Sequence, residues 1–140
     1  MQAVVTGATG FIGSHLVDGL LGAGYRVKAL GRQLPGLISP EAQAHPGLTL
    51  AAVTLADRLA LKQTLEGAQV VFHLASSSLP QTSNRDPQAD VLVNLLGSLN
   101  LLEAARLNAV QRFVMVSSGG TVYGVPREVP IPETHPTDPI

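Results

Sequence analysis

Apolar positions alternate along the chain between short solid runs and longer striped segments. Residues 2–6, with Val4 and Val5 at their centre, form a solid run that predicts a short buried strand. After a glycine-rich turn, Ile12, Leu16, Val17, Leu20 and Leu21 recur at helical spacing and make one apolar stripe, ended by Gly22 and Gly24. Residues 26–30 predict a second strand. Residues 31–46 are broken by Pro35, Gly36, Pro40 and Pro46 and read as irregular. A third strand is expected over residues 48–53. Asp57 then fits the N-cap of a helix that runs to Glu66 and stops at Gly67. The continuous apolar run over residues 70–75 suits a strand in a parallel sheet covered on both faces.

A polar loop follows over residues 79–85. Asp86-Pro87 has the form of an N-cap with proline in the first helical position. The helix it opens carries Leu92, Leu95, Leu96, Leu99 and Leu102 on one stripe, with Val91, Val93 and Leu101 elsewhere. So much apolar surface predicts burial on more than one side. Residues 112–116 make a fifth strand. Beyond Val125, Pro126, Pro130, Pro132, Pro136 and Pro139 predict a loop or a disordered tail. Strands alternating with helices imply an α/β fold, a doubly wound, Rossmann-like parallel sheet of about five strands. Residues 1–124 are expected to form that domain, and residues 125–140 a proline-rich tail.

Composition narrows the function. Of 140 residues, 45% are hydrophobic but only 14% are charged. Either the sheet is deeply buried, or another segment or partner covers part of the surface. The formal net charge is −1 and no run of Lys or Arg occurs, which argues against nucleic acid or an anionic membrane as main partner. Cysteine is absent, which excludes disulfides, thiolate metal sites and thiol chemistry, and no metal site is expected. No apolar run approaches the roughly 18 residues of a membrane span, and no leader-like segment precedes the first strand. The expectation is a soluble, cytoplasmic protein.

The chemistry lies in Thr6-Gly7-Ala8-Thr9-Gly10-Phe11-Ile12-Gly13. Gly7 allows a tight turn out of the strand. Gly10 lets backbone approach a pyrophosphate, and Gly13 lets the helix pack closely on the strand. Free N–H groups at the helix start then face the phosphates of a dinucleotide.

The Gly-x-x-Gly-x-x-Gly spacing resembles the extended short-chain dehydrogenase/reductases, and within them the NAD-dependent epimerase/dehydratase family. The similarity extends through Val71-Phe72-His73-Leu74-Ala75, through the helix from Asn94 to Ala105, and through Val116-Ser117-Ser118-Gly119-Gly120-Thr121-Val122-Tyr123-Gly124. Within the family it is most similar to nucleotide-sugar 4-epimerases. The resemblance implies NAD or NADP on Gly7, Gly10, Phe11, Ile12 and Gly13. Backbone at Leu74, Ala75 and Ser76 would border its ribose and pyrophosphate, and Leu55 would lie near the adenine. Asn94 and Ser117 would complete the cofactor side.

Several positions depart from the family. Where it often has the Asp that binds the ribose hydroxyls, this chain has Gly31, followed by Arg32. Arg32 either pairs with the 2′-phosphate of NADP or stacks on adenine or faces solvent with NAD bound. Thr54 replaces a common Asp near the adenine. The hydroxyl expected four residues before the tyrosine of Val-Tyr-Gly is Gly119, which leaves Ser118 and Thr121 as candidates to hold a substrate oxygen. His73 is either an acid/base group or, the favoured reading, a satisfied core histidine. Asn94 is either a residue that organises the active site or an exposed helix residue.

The family's catalytic Tyr-x-x-x-Lys pair is missing. Neither Tyr25 nor Tyr123 is followed by Lys at that spacing, and the lysines are Lys28 and Lys62. The resemblance therefore implies the first part of a longer enzyme, inactive alone, whose nucleotide-sugar substrate is bound elsewhere. Its apolar helix would have lost a neighbour, its fifth strand would be an open edge, and self-association would follow. Two alternatives remain: a non-catalytic dinucleotide-binding module, and a reductase of the same superfamily that acts on a non-sugar carbonyl.

Overall fold

A computed structural model describes residues 1–76 and 83–139. Five parallel strands stand in the order β3-β2-β1-β4-β5: β1 Gln2–Thr6, β2 Arg26–Gly31, β3 Leu48–Ala52, β4 Val70–His73 and β5 Arg112–Met115. Strand β1 is central and pairs with β2 (Val4 opposite Lys28) and with β4 (Val4 opposite Val71). The α/β, doubly wound, Rossmann-like sheet expected from the sequence is the one observed.

The apolar strands divide their side chains between two cores. Ala3 and Val5 face α1 (Phe11–Gly22), whose Val17, Leu20 and Leu21 cover them. Val4 and Val71 face the opposite way, toward Leu61 and Leu65 at α3 (Arg58–Thr64) and Leu101, Ala104 and Ala105 of a later helix. Burial on both faces is why these strands read as solid apolar runs rather than alternating ones.

Local capping sets the helices. Asp57 caps α3 by accepting from the Ala60 N–H at 2.9 Å. Asp86 caps α4 (Pro87–Asp90) through the Ala89 N–H at 3.0 Å. Helix α4 runs into a π-helical segment, Val91–Leu96, and then into α5, Gly97–Leu107. The last short helix, α6, is Gly119–Val122.

Several expectations need correcting. The irregular stretch over 31–46 contains a one-turn helix, α2 (Pro40–Gln43), because Ser39 Oγ accepts from the Ala42 N–H at 3.1 Å and Pro40 opens the turn. Strands three, four and five end before Val53, Leu74 and Val116 respectively, although Leu74 N–H still donates to Thr6 O and Val116 N–H to His73 O. Helix α3 stops short of Glu66. Ile12 lies outside the buried face of α1, which is made by Gly13, Ser14, Val17, Leu20 and Leu21. The largest departure is the leucine stripe: Leu92, Leu95, Leu96, Leu99 and Leu102 are exposed, and α5 buries Gly97, Leu101, Ala104 and Ala105 instead. The expected polar loop lies outside the described residues over 79–82. No helix or strand occurs beyond Tyr123 among the described residues, where His135 accepts from the Arg127 N–H at 3.2 Å and packs on the Tyr123 ring. Among the described residues no helix is long and apolar enough to cross a membrane.

Candidate functional site

The strand order reverses between β1 and β4, which opens a crevice at the carboxyl ends of the strands. A cavity of about 320 Å³ occupies it. Thr6 and Gly7 after β1, Leu30 and Gly31 at the end of β2, Val53 to Ala56 after β3, and Leu74 to Ser76 after β4 form its walls, and Leu92 and Val93 of the π-helical segment close one side.

The three glycines of the turn sit in different surroundings. Gly7 has φ +68°, and a Cβ there would lie 2.8 Å from the Ala75 nitrogen. That backbone conformation and that approach both exclude a side chain. A Cβ at Gly13 would collide with the Gly7 carbonyl oxygen and lie 2.7 Å from the Ala8 Cα, so the helix could not sit so close to the turn. Gly10 differs. Its φ of −86° suits any residue. A Cβ there would meet nothing closer than the Gly7 oxygen at 3.4 Å, an ordinary contact. The fold does not need a glycine at position 10, yet Gly10 lines the cavity. It also caps α1 and, without a side chain, offers no acceptor to the first N–H groups of that helix. The arrangement keeps those donors available to an anion.

A polar relay ties this wall together from behind. His73 is buried, with its ring between Thr6 Oγ1 (2.7 Å from Nδ1) and Ser98 Oγ (2.8 Å from Nε2). Ser98 Oγ–H donates to the Asn94 carbonyl, so Ser98 must accept from His73 Nε2–H. Nδ1 is then the acceptor for Thr6 Oγ1–H, while Thr6 Oγ1 accepts from the Ala75 N–H at 3.3 Å. Burial pushes the His73 pKa below its ordinary value of 6.5. His73 is the satisfied core histidine of the favoured reading, and it joins two residues that line the cavity, Thr6 and Ala75, to the π-helical segment.

The cavity gathers Gly7, Gly10, Arg32, Leu55, Leu74, Ala75 and Ser76 from the expected cofactor set. Leu55 is held by α5: its carbonyl accepts from Asn100 Nδ2 at 3.0 Å, and a Cβ at Gly97 would lie 2.9 Å from the Leu55 Cβ. Other candidates stand apart from the lining. Phe11 and Ile12 turn their side chains to solvent, Phe11 edge-on to His15. Gly13 is buried beneath the turn. Asn94 donates from Nδ2 to Asp90 at 2.6 Å and gives its carbonyl to Ser98. Ser117, Ser118 and Thr121 are exposed beyond β5, with the Thr121 hydroxyl donating to the Ser118 carbonyl at 3.0 Å.

Thr6 and Thr9 of the glycine turn also line the cavity. Leu30, Val53, Ala56, Leu92 and Val93 line it as well and were not singled out as site residues. These five are apolar and carry no pattern that separates them from core positions. Among the described residues Arg32 is the only charged side chain in the lining, and no carboxylate joins it. Among the described residues no group of three or more His, Asp or Glu side chains is placed to hold a metal ion.

Comparison with known proteins agrees with this geometry. The model of the NAD dependent epimerase/dehydratase family matches residues 3–140. A UDP-glucose 4-epimerase from Mycolicibacterium smegmatis is 41% identical over 143 residues, a match spanning 99% of this chain and 45% of the relative. The crystal structure of a Thermus thermophilus UDP-glucose 4-epimerase in complex with NAD superposes with a TM-score of 0.85 at 38% identity, covering 99% of this chain and 45% of that one. A cinnamoyl-CoA reductase 2 from Medicago truncatula is 38% identical over 141 residues, covering 96% of this chain and 40% of the relative. The chain thus spans less than half the length of these relatives.

Proposed function

The chain belongs to the NAD dependent epimerase/dehydratase family, and from that premise we propose that its cavity holds a nicotinamide dinucleotide, NAD or NADP, and that residues 1–124 are the dinucleotide-binding domain of a nucleotide-sugar epimerase or dehydratase. The observation that carries this reading is Gly10, a residue the fold leaves free to be anything small, kept bare where it faces the cavity and caps α1. Gly7, Gly10 and the first N–H groups of α1, at Phe11, Ile12 and Gly13, hold the pyrophosphate. Arg32 and the backbone near Leu55 flank the adenosine half, and Leu74, Ala75 and Ser76 border the other half. The bound nicotinamide supplies hydride acceptor and donor chemistry.

Asn94 and Ser117 act at the edge of the site, and Ser118 and Thr121 are the candidates to hold a substrate oxygen. These residues contain no Tyr followed by Lys at the family's spacing. A phenol of pKa about 10 needs such a neighbour to act as a base near pH 7. On this reading the 140 residues bind the dinucleotide without turnover. The similarity to the cinnamoyl-CoA reductase favours a second reading, reduction of a non-sugar carbonyl on the same dinucleotide scaffold.

Two measurements test the proposal. Dinucleotide should raise the melting temperature of the chain in proportion to the logarithm of its concentration. UDP-galactose incubated with the chain and NAD should remain unconverted. Absence of any thermal shift contradicts the binding site, and turnover contradicts the missing base.

A further inference from the structure

Resting on that dinucleotide reading, we propose that Ser98, which does not itself line the cavity, is a positioning residue for it. Ser98 fixes which nitrogen of His73 carries the proton. Through His73 and Thr6 it holds Leu74 and Ala75 in the form that receives the dinucleotide. Neither Ser98 nor His73 is among the described lining residues, so any effect on a ligand passes through Thr6 and Ala75, which are.

Strand β4 ends at His73, and the wall beyond it hangs on Thr6. Thr6 O accepts from the Leu74 N–H at 3.2 Å, and Thr6 Oγ1 accepts from the Ala75 N–H at 3.3 Å. The glycine turn lies close against the same backbone: a Cβ at Gly7 would be 2.8 Å from both the Leu74 carbonyl carbon and the Ala75 nitrogen. The Ala75 bond depends on where the Thr6 hydroxyl hydrogen points. Turned toward Ala75, it would set hydrogen against hydrogen. Thr6 Oγ1 offers Ala75 a lone pair only while its own hydrogen is drawn elsewhere, and the acceptor that draws it is His73 Nδ1, 2.7 Å away.

That acceptor exists in one tautomer only, because a neutral imidazole has one N–H and one bare nitrogen. Ser98 decides between them. Its hydroxyl donates to the Asn94 carbonyl four residues back, which leaves Ser98 Oγ only lone pairs to offer Nε2, 2.8 Å away. Nε2 therefore carries the proton and Nδ1 is bare. The opposite tautomer would set two acceptors against each other at Nε2. It would also strand the hydroxyl hydrogen of Thr6, a residue only 1% exposed. In the observed arrangement no buried side-chain nitrogen or oxygen among the described residues lacks a partner. Without the Ser98 hydroxyl, the Nε2–H loses its acceptor. The ring of Phe113, with its centroid 6.1 Å from that of His73, supplies no lone pair in its place. The balance then tips toward Nδ1–H, and the Thr6 hydrogen is released to compete with Ala75.

The test compares the wild type, Ser98→Ala and Ser98→Thr by long-range proton–nitrogen NMR of the His73 ring and by calorimetric titration with NAD and with NADP. The His73 signals are those missing from His73→Gln. Ser98 is half-buried, so the extra methyl of threonine has room, and its hydroxyl can make the same bond to the carbonyl four residues back. The wild type should show the Nε2–H tautomer. Ser98→Ala should shift His73 toward Nδ1–H and bind dinucleotide roughly three- to tenfold more weakly, the worth of one neutral hydrogen bond. Ser98→Thr should restore both. An Nδ1–H tautomer in the wild type overturns the proposal without requiring any variant to fold. Wild-type affinity in Ser98→Ala, an unchanged His73 tautomer there, or a loss that Ser98→Thr does not restore overturns the role of Ser98 while leaving the dinucleotide site standing. Failure of both ligands to bind the wild type overturns the dinucleotide reading, and this inference with it.

Discussion

Strands β1 and β5 are both short apolar segments of one parallel sheet, yet their surroundings are opposite. Val4 and Val5 of β1 are wholly buried, whereas Val114 and Met115 of β5 are 44% and 58% exposed. The helices repeat the contrast. Helix α1 buries Val17, Leu20 and Leu21 against the sheet, while the leucine stripe that runs from the π-helical segment into α5 faces solvent. Intrinsic preference does not separate the two regions. Neighbours do: β1 has a strand on each side and a helix layer on each face, and β5 pairs with β4 alone among the described residues. The glycine turn from Gly7 to Gly13 belongs to the enclosed region, and the contacts that fix its geometry are backbone contacts with Ala8, Leu74 and Ala75.

That contrast is open to direct attack. The largest effect is expected at Gly13. In Gly13→Ala the new methyl meets backbone on both sides, and the variant should lose about 3 kcal/mol or more, seen as a melting temperature lower by roughly 10 °C. A variant that melts with the wild type would show the turn to be more yielding than its packing implies. Next come two leucines of α5. Leu101 is fully buried and Leu99 is 52% exposed. Leu101→Ala should cost about 2–5 kcal/mol in denaturant unfolding, and Leu99→Ala no more than about 0.5 kcal/mol. Similar costs for the two would mean that the stripe is covered in solution.

A smaller effect is expected from pH. Burial holds the folded His73 pKa below 6.5. The unfolded chain therefore binds the proton more readily, and stability should fall as pH drops below that value and be fully present above it. In His73→Gln this slope should flatten below pH 6.5, and an unchanged slope would remove His73 from the relay. The smallest change in stability is expected from Leu95→Glu combined with Leu99→Glu. Sedimentation velocity should nevertheless show less self-association, which exposed apolar faces of this size promote. Unchanged sedimentation would mean that the stripe does not bring copies together.

Much of the fold was legible in the sequence because its signals are local. Asp57 and Asp86-Pro87 mark helix starts through their own side chains, and the turn from Gly7 to Gly13 follows from steric needs within a few residues. Strand ends were read slightly long at Val53, Ala75 and Val116, since an apolar run does not stop where pairing does. The exposure of Leu95 and Leu99 was not legible from periodicity alone, which identifies an apolar stripe but not what lies opposite it. Nor was the π-helical turn that brings Leu92 and Val93 to the cavity, because no residue pattern distinguishes it from an ordinary helix. The relay through His73 joins positions far apart in the chain, so the sequence showed a histidine in an apolar strand and nothing of Ser98 or Thr6. Of the site, the glycines and the segment Leu74 to Ser76 were foreseen.

The central claim is that Gly10 is bare for a ligand and not for the fold. Calorimetric titration of nicotinamide dinucleotides into the wild type and Gly10→Ala, with thermal melts of both, tests it most directly. The account predicts that the two proteins melt within about 2 °C of each other, as expected for a methyl added at an unstrained position, and that Gly10→Ala binds at least about tenfold more weakly, a loss of roughly 1.4 kcal/mol. Equal affinity in the two proteins, or no binding to the wild type, would contradict it.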